Sequence, residues 1–544
     1  MSLETSPSST LRASASLETG EKTEEDGTVQ REGDGQPTRL QLGLITTALC
    51  LSVFLVALDN TIIATAIPKI THEFHSLDDV GWYASSYLLT SAAFQLFFAR
   101  LYTLLSVKWV YISAICIFEL GSLICMLAPS SDILIVGRAI AGLGSAAIFS
   151  GALIIVANVV PLTSRPVYSG CIASMYGIAS VAAPLLGGIF TDKVSFRWCF
   201  GVNLPVGGIT LVMLLFFFKP PPGIAVRGTP TSFAKRLRRL DPLGTALFLP
   251  SIISILLALQ WGGTKYAWTS PRIITLIVVF AVLITAFVAV QLAEKDQDNV
   301  TLPPRIISQR SMLCGAWFAF FAGGGFYVLV YFVPIWFQAI KGDSAVQSGT
   351  DNLALILSLV MGTLVAGAGV TLLGYYVPFM LLSGVLMPIG AGLISTFTVD
   401  AGHAEWMGYQ VIFGFGAGLG MQQPFIAAQT VLETADVPTG TSLLVFLQTL
   451  GGALFVSVGE TIFSDTLIRG LTRAVPTVDP HMVLNTGATS LRSSPLMNPD
   501  DIDAVLRVYN SALAATFHLA IVLVGLSLFG ALGMEWRNIR REIR

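Results

Sequence analysis

The sequence is short of charge. Asp, Glu, Lys and Arg make up 12% of its 544 residues, about half of the roughly 25% usual for a soluble domain, which excludes an ordinary water-soluble enzyme. Positive charge is not in excess either. The net charge is -2, and a chain that neutralises phosphates needs a basic surplus, so nucleic acid is excluded as a partner. No Gly-Lys dipeptide occurs, hence no G-x-x-x-x-G-K-[ST] loop to cradle phosphates and no built-in nucleotide hydrolysis. The six cysteines (Cys50, Cys116, Cys125, Cys171, Cys199, Cys314) lie in or beside apolar runs without C-x-x-C spacing. They are expected to be small buried residues, with no disulfide framework, metal or other cofactor. His72-Glu73-Phe74-His75 falls one residue short of H-E-x-x-H and lies in a predicted loop, which argues against a zinc site. Residues 1–40, with four basic and eight acidic side chains, match neither a signal peptide nor an Arg-rich transit peptide and are expected to form a disordered tail.

What fills the chain instead is apolar surface, at 53% of residues, with 51 glycines and 33 phenylalanines. A helix needs about 20 apolar residues to cross about 30 Å of hydrocarbon. Fourteen runs qualify, near 41–66, 80–103, 109–129, 132–158, 167–190, 199–218, 243–262, 272–293, 312–338, 346–368, 372–397, 405–428, 440–463 and 513–534. They are continuous rather than alternating, so helices are expected and a barrel is not. The predicted class is an all-α integral membrane protein.

Orientation follows the basic residues. With the N-terminus inside, the tails and even-numbered loops hold about two-thirds of the 31 Lys and Arg, so both termini and the basic loop 219–242 are predicted to be cytoplasmic. That loop carries Lys219, Arg227, Lys235, Arg236, Arg238 and Arg239 and is read as an anchor at anionic lipid. Asn299-Val300-Thr301, the only N-x-[ST] sequon, then falls on the cytoplasmic side, and no glycosylation is expected. A weak repeat sets the domain organisation. Ala141-Gly142-Leu143-Gly144 in span 4 matches Ala417-Gly418-Leu419-Gly420 in span 12, with Gly414 in the place of Arg138. The match suggests six plus two plus six: a six-helix bundle over 41–218, two inserted helices over 243–293, a second bundle over 294–534 with a long outer loop at 464–512, and a tail at 535–544.

Charges inside the membrane are rare and tend to be functional. Asp59 in span 1 and Arg138 in span 4 have opposite sign and, by rise per residue, share a depth on the order of 10 Å below the outer surface. Two roles are open to them, a lock between helices or proton coupling. Glu119 in span 3 has no evident partner and is either cavity-lining or interfacial. Glu460 and His518 lie near the outer ends of spans 13 and 14. In span 5, Pro184 removes a helix hydrogen bond and should kink the helix. Gly187 and Gly188 should admit a close neighbour.

Four stretches together resemble the major facilitator superfamily, in particular fourteen-span drug:proton antiporters of the branch that fungi use to expel toxins and secondary metabolites. They are Leu58-Asp59-Asn60-Thr61-Ile62-Ile63 with Ile67-Pro68; Arg138 with Gly142 and Gly144 as R-x-x-x-G-x-G; Gly177 and Ala183-Pro184-Leu185-Leu186-Gly187-Gly188; and Phe196 to Gly207, reading FRWCFGVNLPVG. Gln422-Gln423-Pro424 and Phe446 to Gly452 resemble the fungal branch. One departure is Thr103, where the loop between spans 2 and 3 usually has aspartate; another is Ala183 in place of glycine. The resemblance covers about residues 41–534 and implies a monomeric proton-driven exporter of a small amphipathic organic compound in the plasma membrane, or alternatively a vacuolar or vesicle membrane. Its partners would be that compound, protons and lipid. Asp59 and Arg138 would couple protons, Gly177, Pro184, Gly187 and Gly188 would form the span-5 antiporter motif, and Glu119, Gln422, Gln423 and Gln448 are cavity candidates. A proton symporter or uniporter for a nutrient or siderophore has the same fold, and a non-transporting receptor is the alternative of another class.

Overall fold

A backbone amide in hydrocarbon has no water to bond, so each apolar run satisfies itself by closing into a helix. The computed structural model describes residues 38–76, 79–219, 238–486 and 501–540, apart from 264, 295, 297 and 477. Residues 1–37, most of the tail expected to be disordered, residues 220–237 of the basic loop, residues 487–500 of the outer loop and residues 541–544 therefore lie outside the described residues. Regular structure among the described residues is helical, apart from an isolated bridge between Gly262 and Tyr266. The long helices are α1 (Arg39–Phe74), α2 (Val80–Leu104), α3 (Val107–Leu127), α4 (Ser131–Val159), α5 (Arg165–Lys193), α6 (Asn203–Phe217), α7 (Pro242–Trp261), α8 (Pro271–Ala293), α9 (Arg310–Trp336), α10 (Leu353–Leu373), α11 (Val377–Ser395), α12 (His403–Gly420), α13 (Val437–Ala474) and α14 (Ile502–Gly533). Among the described residues, thirteen segments are long and apolar enough to cross a membrane; α2 is not among them, because Ser85, Ser86, Thr90, Ser91, Gln95 and Arg100 dilute its apolar surface.

Several elements outrun their hydropathy. Helix α1 continues to Phe74 rather than stopping near 66, so His72 and Glu73 lie in its last turn and not in a loop. Polar residues such as Lys69 end an apolar run without ending a helix. His75 closes it in the left-handed region at φ 51°. Likewise α13 runs on to Ala474 and α14 starts at Ile502, so the loop expected at 464–512 is largely helix at both ends. Helix α14 opens on an acidic turn, with Asp501 as N-cap and Asp503 in the first turn. Helix α9 ends in a π turn, Phe337–Lys341. The run ending α12 breaks at Met421-Gln422 and resumes as Gln423–Val431. Helix α5 continues through Pro184 without interruption.

Helices α1 to α6 pack mainly on one another, as do α9 to α14. Between these sets, α5 lies along α10, and α2 along α13. The α7–α8 pair packs on α2 and α13. The repeated Ala-Gly-Leu-Gly stretches sit in equivalent places. A Cβ on Gly142 would strike the Tyr87 carbonyl of α2, and one on Gly144 would strike the Ala114 carbonyl and Phe118 amide of α3. Gly418 stands in the same way against Leu359 and Thr363 of α10, and Gly420 against Ser383 of α11. Small residues let backbones approach this closely where no hydrophobic force drives helices together.

At the end where α1 begins and α14 finishes, the α7–α8 pair is tied in by polar contacts that hydropathy does not reveal. Buried Arg100 of α2 donates from Nε to the Arg239 carbonyl at 2.8 Å and from Nη2 to the Asp298 carbonyl. Asp241 accepts from the Gly244 amide at 2.8 Å, Gln291 Nε2 at 2.7 Å, the Thr301 amide at 2.9 Å and Thr301 Oγ1 at 2.8 Å. Arg305 grips Asp436 with two bonds, 3.1 and 2.9 Å. Its guanidinium is held above its ordinary value chiefly by that hydrogen bonding. Arg100, Thr103, Arg305 and Asp436 line a small open cleft here. Hydrogen bonds to a charged group contribute about 1.5–3 kcal/mol each. Asp241→Ala is therefore expected to lower the melting temperature of the purified protein by several degrees, with Asp241→Asn recovering part of the loss. Unchanged melting of Asp241→Ala would show that the knot contributes nothing.

Candidate functional site

Arg138 and Asp59 meet. Arg138 Nη1 lies 2.5 Å from Asp59 Oδ2, with both side chains fully buried. Helix α4 supplies the arginine and α1 the aspartate, and three further helices, α2, α3 and α6, complete the shell. From α2, the Tyr83 carbonyl accepts Arg138 Nε at 2.8 Å, and the Tyr87 ring lies 4.5 Å from the guanidinium carbon. From α6, Asn203 Nδ2 donates to Asp59 Oδ1 at 3.1 Å and to Ser122 Oγ of α3 at 3.0 Å. A charge pair inside low dielectric is favoured when its remaining donors and acceptors are also engaged; Tyr83 and Asn203 engage Arg138 Nε and Asp59 Oδ1, while Arg138 Nη2 has no partner among the described residues.

Sequence reasoning missed Asn203, Ser122, Tyr83 and Tyr87 as members of the site. The available signal was Asn203 itself, an amide inside the apolar run of span 6, where an unpaired polar side chain is costly.

The span-5 residues divide. Gly177 faces Val360 and Ile356 of α10, while Gly187 lets Thr65 and Ile62 of α1 come close. Gly188 has nothing within 4 Å of its Cβ direction, contrary to the expectation that it admits a neighbour. Adjacent helical residues point about 100° apart, so two successive glycines cannot serve one contact. Pro184 lies beside Gly349.

The cavity candidates divide too. Glu119 is wedged against Gly207 of α6, whereas Gln422 and Gln423 stand at the start of the short helix Gln423–Val431 and Gln448 lies in α13. Gln423 is fully buried and donates to the Leu419 carbonyl at 2.9 Å; its Oε1 and that of half-buried Gln422 have no hydrogen-bond partner among the described residues. Gln448 packs its main chain on Gly323 of α9. One turn beyond Gln422, the Phe425 ring lies 6.1 Å from Phe149 of α4, which in turn lies 5.5 Å from Tyr176 of α5. The aromatic rings of the short helix Gln423–Val431, α4 and α5 thus meet.

Residues 49–456 match the family model described as Major Facilitator Superfamily, and the chain belongs to that superfamily. It is a multi-pass membrane transporter and not an enzyme. The MFS-type efflux pump MFS1 of Arthroderma benhamiae is 54% identical over 92% of this chain and 93% of its own. The efflux pump aflT of Aspergillus parasiticus is 50% identical over 94% of this chain and 98% of its own. Efflux pump roqT of Penicillium rubens is 50% identical over 91% of each. Among solved structures, the proton:xylose symporter XylE bound to 6-bromo-6-deoxy-D-glucose superposes with a TM-score of 0.56 at 12% identity, over 89% of this chain and 95% of that one. The human organic anion transporter MFSD10 gives 0.57 at 13%, over 89% and 99%. These two likenesses speak for the fold alone.

Proposed function

We propose that this chain is a proton-driven antiporter that exports a small amphipathic organic compound, such as a toxin, secondary metabolite or drug, across the plasma membrane. It crosses fourteen times with both termini cytoplasmic, and residues 41–218 and 294–534 rock as two bundles with the 243–293 pair inserted between them. The observation that carries this reading is the fully buried Asp59–Arg138 pair, in a chain 54% identical to a protein named an efflux pump. Arginine stays charged throughout. A transport cycle that parts the pair leaves a buried carboxylate without its cation, and that is the point at which a proton is exchanged. The rings of Phe149, Tyr176 and Phe425, which meet between the two sets of helices, suit a cargo with a flat apolar body. A symporter could use the same ion pair, so direction rests on the relatives.

Expressed in yeast lacking its own export pumps, the protein is expected to lower the accumulation of such a compound, and a protonophore should abolish the difference. Increased accumulation would reverse the direction. The topology carries its own expectation: Asn299, which donates to Asp296 at 2.9 Å, stays unglycosylated. A glycosidase-sensitive mass shift lost in Asn299→Gln would overturn the cytoplasmic placement.

A further inference from the structure

Glu119 shares the pocket of the ion pair without belonging to it. Its side chain is 9% exposed, and neither carboxyl oxygen has a hydrogen-bond partner among the described residues. Oε1 rests on the Cα face of Gly207, in space that any Cβ would fill. One turn along α3 stands Ser122, and one turn back along α6 stands Asn203; these two bond each other, and Asn203 reaches Asp59. The charged groups around this pocket are Asp59 from α1 and Arg138 from α4. Among the described residues, α6 brings no charge, α2 brings the Tyr87 phenol, and the other titratable groups near Glu119 or Asp59 are the thiols of Cys116 and Cys125 on α3 and of Cys199 before α6.

Charge counting then decides the state of Glu119. Arg138 and Asp59 cancel. An ionised Glu119 would leave a net negative charge buried without a cation or a donor to meet it, an arrangement that proteins avoid by neutralising the group. We propose that Glu119 is a second proton site of the transport cycle: a neutral carboxylic acid in this conformation, whose proton passes to Asp59 when Arg138 withdraws. The O–H bond of Glu119 breaks as one on Asp59 forms, so two carboxyls and one guanidinium hold a single proton between them at neutrality. Glu119 becomes the anion in that step, and Arg138, whose Nη2 has no hydrogen-bond partner among the described residues, is the cation left to balance it. The transport role rests on the antiport reading above; the protonation state does not.

The test uses the full-length protein in lipid nanodiscs. Dicyclohexylcarbodiimide reacts with protonated carboxyls in apolar surroundings, and mass spectrometry locates the adduct. Labelling is expected on Glu119 at neutral pH and should slow as pH rises. In proteoliposomes, Glu119→Gln is expected to retain downhill exchange of substrate but to lose the pH dependence of proton-driven export, and Glu119→Asp to restore it; a merely structural role would leave the pH profile unmoved. Absence of an adduct on Glu119 while other intramembrane carboxyls react overturns the proposal, as does a wild-type pH profile in Glu119→Gln. A labelled Glu119 in a wild-type protein that shows no proton-driven export would overturn the antiport reading alone.

Discussion

Asp59→Asn is expected to reduce proton-driven export by about 100-fold or more, the scale at which loss of a positioned proton-transfer group is felt, while leaving substrate binding and some downhill exchange. The asparagine keeps the shape of the site and one acceptor for Arg138 or Asn203, but it cannot take up or release a proton. Arg138→Lys is expected to fail as well, since a single ammonium cannot reproduce the contacts of Nε to Tyr83 and of Nη1 to Asp59. Removing one partner of a buried pair costs about 3–5 kcal/mol of stability, so each variant has to be shown in the membrane by surface labelling before its flux is read. The double variant Asp59→Asn/Arg138→Gln separates the roles. A coupling pair gives a folded protein without proton-driven transport; a pair that only locks helices gives back both folding and transport.

The second large effect concerns folding. Gly142→Val and Gly418→Val are expected to abolish recovery of monodisperse protein in detergent, because the added Cβ meets main-chain carbonyl oxygens, those of Tyr87 and Leu359, and backbone does not rotate away as a side chain end does. Overpacking in a tight core costs about 1–3 kcal/mol and at times more; a clash against main chain on α2 or α10 belongs at the upper end. Gly188→Ala is the folding control, with nothing within 4 Å of the new methyl, and it should elute like the parent. Size-exclusion profiles of fluorescent fusions give the comparison directly. Normal profiles for both valine variants would show that the two Ala-Gly-Leu-Gly stretches do not set the approach of α4 to α2 and of α12 to α10.

The ion pair was legible in the sequence because charge is scarce in hydrocarbon, so two opposite charges at one depth stand out. The Ala-Gly-Leu-Gly repeat was legible because close helix crossings demand small residues, and the structure puts both copies against corresponding helices. What surrounds the pair was not legible. Asn203 lies 144 positions from Asp59 in the chain, and nothing local announces a contact at that separation. Gly188 was assigned a contact it does not make, since sequence gives the presence of a glycine but not the side of the helix it faces. Helix ends were misplaced for a related reason: α1, α13 and α14 extend beyond their apolar runs, where side chains turn polar while the backbone goes on bonding to itself. The knot around Asp241 joins short polar segments with no periodicity, so neither hydropathy nor spacing could show it.

The measurement that tests the central claim most directly is simultaneous recording of proton and substrate flux in proteoliposomes holding either the wild-type protein or Asp59→Asn, with a pH gradient imposed and expression matched. Coupling through Asp59 predicts that the wild type moves substrate against its concentration gradient while protons flow the other way, and that Asp59→Asn moves substrate only downhill with no accompanying proton flux. Uphill, proton-linked transport by a well-folded Asp59→Asn protein would contradict it.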